Sequence, residues 1–321
     1  MMRKSPMSQH APTVSTEASA PVGTRYAPSA GRRARRRSFV PLWFALPAIA
    51  LYLWLVLWPS LQGVSLSFTD WNGMSPDKEF VGFKNFIDVF SLPDGVGAVG
   101  RTLIIAGSLL VIQNVGGLLL ALALNTRIRS KSVLRTVFFA PAVLSAVVLG
   151  YTFKFIFAPL GPLNEFLLAL GVQSPPNWLG QPELAVVVII FVIAWQSTGS
   201  TMIIYLAGLQ SVPQDLIEAA SIDGAGAFRR FSSVTLPHLA PAITVNFVLT
   251  LIAGLRVFDQ VYVMTGGGPA NSTQTISTLL IQQAFKFMNY GYGAALAVVL
   301  SVLIAVLSLV QFTVLRRQRS E

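Results

Sequence analysis

Long apolar runs, separated by short polar segments, dominate the chain from residue 38 onward. Five of these runs contain no acidic or basic residue, and a sixth contains only Arg256. The runs cover residues 38–69, 102–125, 136–153, 184–210, 239–258 and 289–315. Because about 20 apolar residues cross the hydrocarbon core of a bilayer as a helix, the pattern predicts an all-α membrane protein with about six transmembrane helices.

Composition supports a membrane protein and changes how the charge is interpreted. The 321 residues are 53% hydrophobic and only 11% charged, and the formal net charge is +10. Eight Lys and Arg residues lie in the first 37 positions, and Arg316, Arg317 and Arg319 follow the last apolar run. Since these cations flank membrane spans, we read them as a positive-inside signal and expect no nucleic-acid partner.

The cations also predict a domain organisation and a topology. We expect a disordered basic tail at 1–38, a six-helix domain at 39–315 and a basic tail at 316–321, with both tails in the cytoplasm. Four cations after the second run place that turn inside, whereas residues 154–183 hold only Lys154 and are expected outside. This topology puts the polar segment 211–237 on the cytoplasmic side.

Segment 211–237 is a charged island between two apolar runs, and it reads SVPQDLIEAASIDGAGAFRRFSSVTLP. Ser211 and Gln214 have the spacing of a capping box, which predicts a helix from Ser211 that ends at Asp223-Gly224. We expect a second short helix from Ala225 to about Ser233. Leu236-Pro237 is expected to stop it.

The same island closely resembles the EAA signature of ABC-importer permeases, which is EAA-x3-G-x9-I-x-LP. Only Val234 departs from it, standing where the signature has Ile. The neighbouring sequences YLAGLQ, VMTGGGPANST and EFVGFKNF are similar to the carbohydrate-uptake subfamily of maltose and glycerol-3-phosphate permeases, and the likeness spans about residues 39–317. The matching signature residues are Glu218, Ala219, Ala220, Gly224, Leu236 and Pro237.

This resemblance implies a type I ABC importer permease fold in the bacterial cytoplasmic membrane. The signature residues would then form a coupling helix that contacts a cytoplasmic ATPase. The implied partners are a second, related permease in a heterodimer, an ABC ATPase dimer, an external solute-binding protein and the surrounding membrane lipid. The implied cargo is a sugar or oligosaccharide, and a non-sugar solute such as an amino acid, peptide or polyamine is the alternative cargo.

The resemblance also implies a substrate path, from the helices before and after the coupling loop. The first set is Gln196, Ser197 and Ser200, and the second is Thr250, Gly254 and Val257, spaced as one helical face. Gly254 and Val257 stand where the maltose permease has amides, so the resemblance leaves two alternatives: those contacts are lost, or they move to Arg256 and Gln260. Small polar residues in membrane helices also serve helix packing, and that alternative stays open.

The sequence lacks the residues of catalysis and of cofactor binding. Gly266-Gly267-Gly268-Pro269 precedes no Gly-Lys-Ser/Thr, so it is a turn and not a phosphate-binding loop. His10 and His238 form no metal site, and no cofactor or enzymatic activity is expected. The alternative function is ion-coupled secondary transport. Such transporters usually place carboxylates or broken helices near the bilayer midplane, whereas spans one to four and six here contain no Asp or Glu. The nearest candidates are Arg256 and Asp259, expected on one helical face.

Overall fold

Helices form nearly all of the regular structure in the part of the chain that the computed structural model describes, which is residues 42–126 and 129–317. Within these ranges there is no β-strand, only an isolated bridge between Thr69 and Phe80. The predicted tail at 1–38 lies outside the described residues, as do residues 318–321 of the predicted C-terminal tail. Residues up to Ala50 and residues from Leu51 form separate units, and the described part of the first holds a 3-10 turn, Leu42–Ala45, and the start of α1.

The helices follow the apolar runs of the sequence, with short helices between the long ones. In chain order they are α1 Leu46–Tyr52, α2 Trp58–Leu66, α3 Lys84–Ser91, α4 Pro93–Leu124, α5 Lys131–Val143, α6 Ala146–Ile156, α7 Pro162–Ala169, α8 Pro182–Gln210, α9 Gln214–Ile222, α10 Ala227–Arg230, α11 Leu236–Leu255, α12 Asp259–Met264, α13 Ile276–Ile281 and α14 Tyr290–Arg317. One π turn joins α1 to α2, and another joins α10 to α11. A third π turn, Gln282–Lys286, extends α13.

Five helical stretches are long and apolar enough to cross a membrane, and the number is six if a bent pair is one span. The stretches are Leu46–Leu66, Pro93–Leu124, Pro182–Gln210, Ala227–Met264 and Tyr290–Val314. This confirms the predicted all-α membrane architecture. The second stretch begins at Pro93 and not at residue 102, because Pro93 and Asp94 suit the first turn of a helix.

The predicted third span is wrong as one continuous helix. Helices α5 and α6 meet at an angle of 96°. Between them, Leu144 and Ser145 have extended backbones, with ψ values of 145° and 134°. The pair is therefore a broken span or a re-entrant element, and the carbonyl group of Leu144 is left outside the hydrogen-bond pattern of either helix.

The long helices approach one another through glycines. A Cβ atom on Gly199 of α8 would lie 2.1 Å from the carbonyl oxygen of Phe138 in α5, and one on Gly254 of α11 would lie 2.9 Å from Cα of Ala106 in α4. Small residues permit such contact between membrane helices, where dispersion contacts replace the hydrophobic effect. Gly199 thus allows α8 to lie against α5, and Gly254 allows α11 to lie against α4.

Candidate functional site

The coupling-loop segment, residues 211–237, begins with helix α9. Its first residue is Gln214, its N-cap is Pro213, and no side chain caps it. The predicted capping box is therefore wrong. Ser211 instead ends α8, and its hydroxyl donates to the carbonyl oxygen of Gly208 at 2.8 Å, which satisfies one of the last carbonyls of that helix.

Gly224 ends α9 as predicted. Its φ of +76° is a left-handed conformation that glycine adopts without steric cost. The following N–H group, on Ala225, donates to the carbonyl oxygen of Ala220 at 3.0 Å, which closes the last turn. The chain then reverses toward α10.

The predicted stop at Leu236-Pro237 is wrong, as are the predicted bounds of the second short helix. Helix α10 begins at Ala227, passes through the π turn Phe231–Thr235 and continues directly into α11. In the π turn the N–H group of Leu236 donates to the carbonyl of Phe231, five residues back. Pro237 then lies in the first turn of α11, where a residue without an N–H group is tolerated.

The outer surface of the coupling-loop segment is exposed and partly apolar. Glu218, Ala219 and the side chains of Ile222 and Phe228 face outward, and the last two are 86% and 83% exposed. On the same exposed surface Arg230 donates from Nη1 to the hydroxyl of Ser221 at 2.8 Å, which ties α10 to α9. The segment is therefore a braced surface with two protruding apolar side chains.

The predicted substrate-path residues include a pair of amides that the fold brings together. Gln196 of α8 accepts a hydrogen bond at 2.8 Å from Nε2 of Gln260 in α12. Its own Nε2 donates to the carbonyl oxygen of Leu144 at 2.9 Å. Both glutamines are buried, so this amide cluster joins α8, α12 and the break between α5 and α6. Sequence reasoning missed Leu144, since no residue type marks a backbone carbonyl as free.

The remaining predicted positions lie close to this cluster in sequence but differ in exposure. Thr250, Gly254 and Val257 are buried, while Ser197 is half-buried and Ser200 is exposed. The single helical face expected for the second set is wrong, because α11 ends at Leu255 and Val257 lies beyond it.

Arg256, also beyond the end of α11, is exposed. Arg256 and Asp259 do not share a helical face, because α11 ends at Leu255 and α12 begins at Asp259. Among the described residues no group of three or more His, Cys, Asp or Glu side chains could hold a metal ion.

Comparison with solved structures defines the class of fold. The crystal structure of a bacterial ABC transporter involved in the import of the acidic polysaccharide alginate aligns with a TM-score of 0.75 at 24% identity, covering 86% of this chain and 95% of that one. A structure of the bacterial alginate ABC transporter in complex with a pentasaccharide-bound periplasmic protein aligns with a TM-score of 0.74. The fold is that of a membrane subunit of an ABC importer, as predicted.

Sequence comparison defines the family. The model of the binding-protein-dependent transport system inner membrane component matches residues 113–320, and the chain belongs to that family. It is similar to the multiple sugar-binding transport system permease protein MsmF of Streptococcus mutans serotype c (38% identity, 84% of this chain, 92% of that one). It is also similar to the lactose transport system permease protein LacF of Rhizobium radiobacter (37%, 86% and 94%) and the trehalose/maltose transport system permease protein MalF of Thermococcus litoralis (36%, 85% and 92%). The resemblance inferred from the EAA signature is confirmed.

Proposed function

We propose that this chain is one of two related permease subunits of an importer for a sugar or oligosaccharide in the bacterial cytoplasmic membrane. An external solute-binding protein delivers the sugar, and a separate ATPase dimer hydrolyses ATP. The family description, which specifies binding-protein-dependent transport, supports the solute-binding protein as a partner. Relatives named for multiple sugars, trehalose and maltose, and lactose support the class of cargo.

The observation that carries the coupling role is the exposed, apolar surface of the coupling-loop segment. Ile222 and Phe228 protrude from a segment whose sequence matches the EAA signature, and exposed apolar side chains on a braced surface favour a protein partner. Glu218 is exposed beside them and can pair with a cation of the ATPase, while Gly224 sets the exit of the chain. Ala219, Ala220, Leu236 and Pro237 complete this contact surface, which lies on the cytoplasmic side together with both termini.

The substrate path runs past the amide cluster of Gln196 and Gln260. In this conformation Gln260 donates to Gln196, and Gln196 donates to the carbonyl of Leu144, so these amide groups are engaged within the protein. Movement of α8 relative to α12 in alternating access frees both amides to bind sugar hydroxyl groups. The other residues assigned to the path are Ser197, Ser200, Thr250, Gly254, Arg256 and Val257.

The test is uptake by the reconstituted importer. The chain is placed in proteoliposomes with its second permease, its ATPase and its solute-binding protein, and uptake of labelled maltose, trehalose, lactose and, as a non-sugar, histidine is measured. The proposal expects uptake of at least one sugar that requires internal ATP and the binding protein. Uptake driven by a proton or sodium gradient without ATP would show ion coupling, and uptake of histidine alone would show a non-sugar importer.

A further inference from the structure

A large cleft lies between α6, α12 and the helical segment formed by α13 and its π turn, and its lining includes Asp259, the chain neighbour of Gln260, but neither Gln260 nor Gln196. Its volume is about 900 Å³. Ligand sites of proteins occupy roughly 300–1,000 Å³ and combine aromatic walls with a few polar groups. The volume of the cleft is therefore within the range of ligand sites, and the chemistry of its lining residues determines which ligand fits.

Aromatic rings form much of the cleft wall and are open to it. Tyr151 of α6 is 62% exposed, and Tyr262 of α12 and Phe285 of the π turn are exposed to a similar extent. Phe258 stacks on Tyr262, with 5.0 Å between ring centroids and 23° between planes. Exposed rings with fixed faces provide flat apolar surfaces at low entropic cost.

Polar groups of several kinds lie between these rings. The lining residues include Asp259, Gln282, Lys154 and Lys286. Lys154 donates to the carbonyl oxygen of Val263 at 3.2 Å, which holds its ammonium group at the end of α12. The cleft therefore offers both hydrogen-bond donors and acceptors beside apolar ring faces.

The cleft lies at the end of the helices opposite the coupling-loop segment. Helix α13 contacts the start of α4, where the N–H group of Ile276 donates to the hydroxyl of Thr102 at 2.9 Å. The coupling-loop segment shares a small pocket with the other end of α4, at Leu122. At 1.5 Å per residue these two positions are about 30 Å apart along the helix. In the proposed topology this end faces the solute-binding protein.

Another large cavity, of about 720 Å³ between α4, α5 and α8, has a different lining. Its lining contains no ionisable side chain and consists of apolar and small residues with two hydroxyl groups, Ser108 and Thr198. Such a surface suits lipid or another apolar helix. The contrast marks the cleft, with its mixed aromatic and charged lining, as a site for a polar ligand.

We propose that the cleft between α6, α12 and α13 is a saccharide subsite at the external entrance of the path, separate from the amide cluster. A sugar ring has an apolar face of C–H groups and a rim of hydroxyl groups, and the cleft presents aromatic faces beside a carboxylate, an amide and ammonium groups. Tyr151 and Phe285 stack on the sugar, and Asp259 and the Nε2 group of Gln282 bind its hydroxyl groups. The Oε1 atom of Gln282 is already engaged, since it accepts from Nε2 of Gln274 at 2.6 Å. The inference rests on the proposed sugar-import function.

The experiment compares aromatic truncations inside and outside the cleft. Tyr151→Ala and Phe285→Ala, singly and together, are reconstituted with the partner subunits, and the uptake rate is measured at saturating, sugar-loaded binding protein. Phe166→Ala is the matched control, because Phe166 is 60% exposed, as Phe285 is 61% exposed, and lies on α7 outside the cleft. We expect the double variant to transport about tenfold more slowly, from two lost ring contacts, with the control within about twofold of the original rate.

The outcomes separate this inference from the proposed function. If the unaltered importer takes up sugar and the double variant matches the control, the subsite is refuted and the proposed function stands. If the second permease no longer co-purifies with the double variant, the cleft is a subunit interface and the subsite is refuted. Asp259→Asn, which keeps the side-chain shape, should slow sugar uptake without loss of co-purification. If the unaltered importer takes up no sugar, both proposals fail.

Discussion

The amide cluster makes a quantitative prediction about stability. Replacing Gln196 with Leu removes two hydrogen bonds at once, one to the carbonyl of Leu144 and one from Gln260. Replacing Gln260 with Leu removes only the second. Because both side chains are buried, water does not readily replace the lost partners.

The magnitude follows from the number of groups left without a partner. Hydrogen bonds between membrane helices contribute about 0.6 kcal/mol on average and up to about 1.7 kcal/mol. We therefore expect Gln260→Leu to lower the free energy of unfolding by about 1 kcal/mol and Gln196→Leu by about 1–3 kcal/mol. In the double variant the shared bond is lost only once, so the total should fall short of the sum by about 1 kcal/mol.

Equilibrium unfolding in mixed micelles, followed by far-ultraviolet circular dichroism, measures all four proteins of this double-mutant cycle. Ser200→Ala is the control, since Ser200 is on the same helix but exposed, and its effect should be within about 0.5 kcal/mol. If the effect of the double variant equals the sum of the two single effects within about 0.3 kcal/mol, the coupling between Gln196 and Gln260 is refuted.

Three further predictions concern packing, coupling and topology. Gly254→Val should lower the unfolding temperature in detergent, at a cost of about 1–3 kcal/mol from its contact with Ala106, whereas Gly107→Val, with open space around it, should not. Gly224→Val should abolish uptake because φ is +76° there, whereas Gly226→Val should retain it; equal uptake would contradict the role of Gly224. Single cysteines in external segments should react with an impermeant thiol reagent and those in cytoplasmic segments should not, and reaction at an internal position would mean a miscounted span. The external positions are Ser91, Asn177 and Ser272, and the internal ones are Ser130 and Ser232.

The apolar runs predicted the long helices because a membrane span needs uninterrupted apolar residues and little else. They could not predict the break at Leu144, since an extended pair of residues inside an apolar run changes neither charge nor hydropathy. The start of α4 was missed because polar residues also form part of this helix. Polar residues before position 102, including Arg101, indicated a loop, whereas Pro93 and Asp94 begin a helix.

Within the coupling-loop segment, local signals conflicted with the context that the neighbouring helices supply. Ser211 has the residue type of an N-cap, but its hydroxyl bonds back to α8. Pro237 usually ends a helix, yet the π turn before it lets α11 continue. The cleft was missed altogether, because its rings and charges come from three segments that only the fold brings together.

Site-specific photocrosslinking detects the proposed contact between the coupling-loop segment and the ATPase. A photoreactive benzoylphenylalanine replaces Ile222 or Phe228, the protruding apolar residues of the segment, and replaces Phe166 as an exposed aromatic control. After irradiation of the assembled importer in membranes, we expect covalent products with the ATPase from positions 222 and 228 and none from 166. No product from positions 222 and 228, or an equal yield from 166, would contradict this contact.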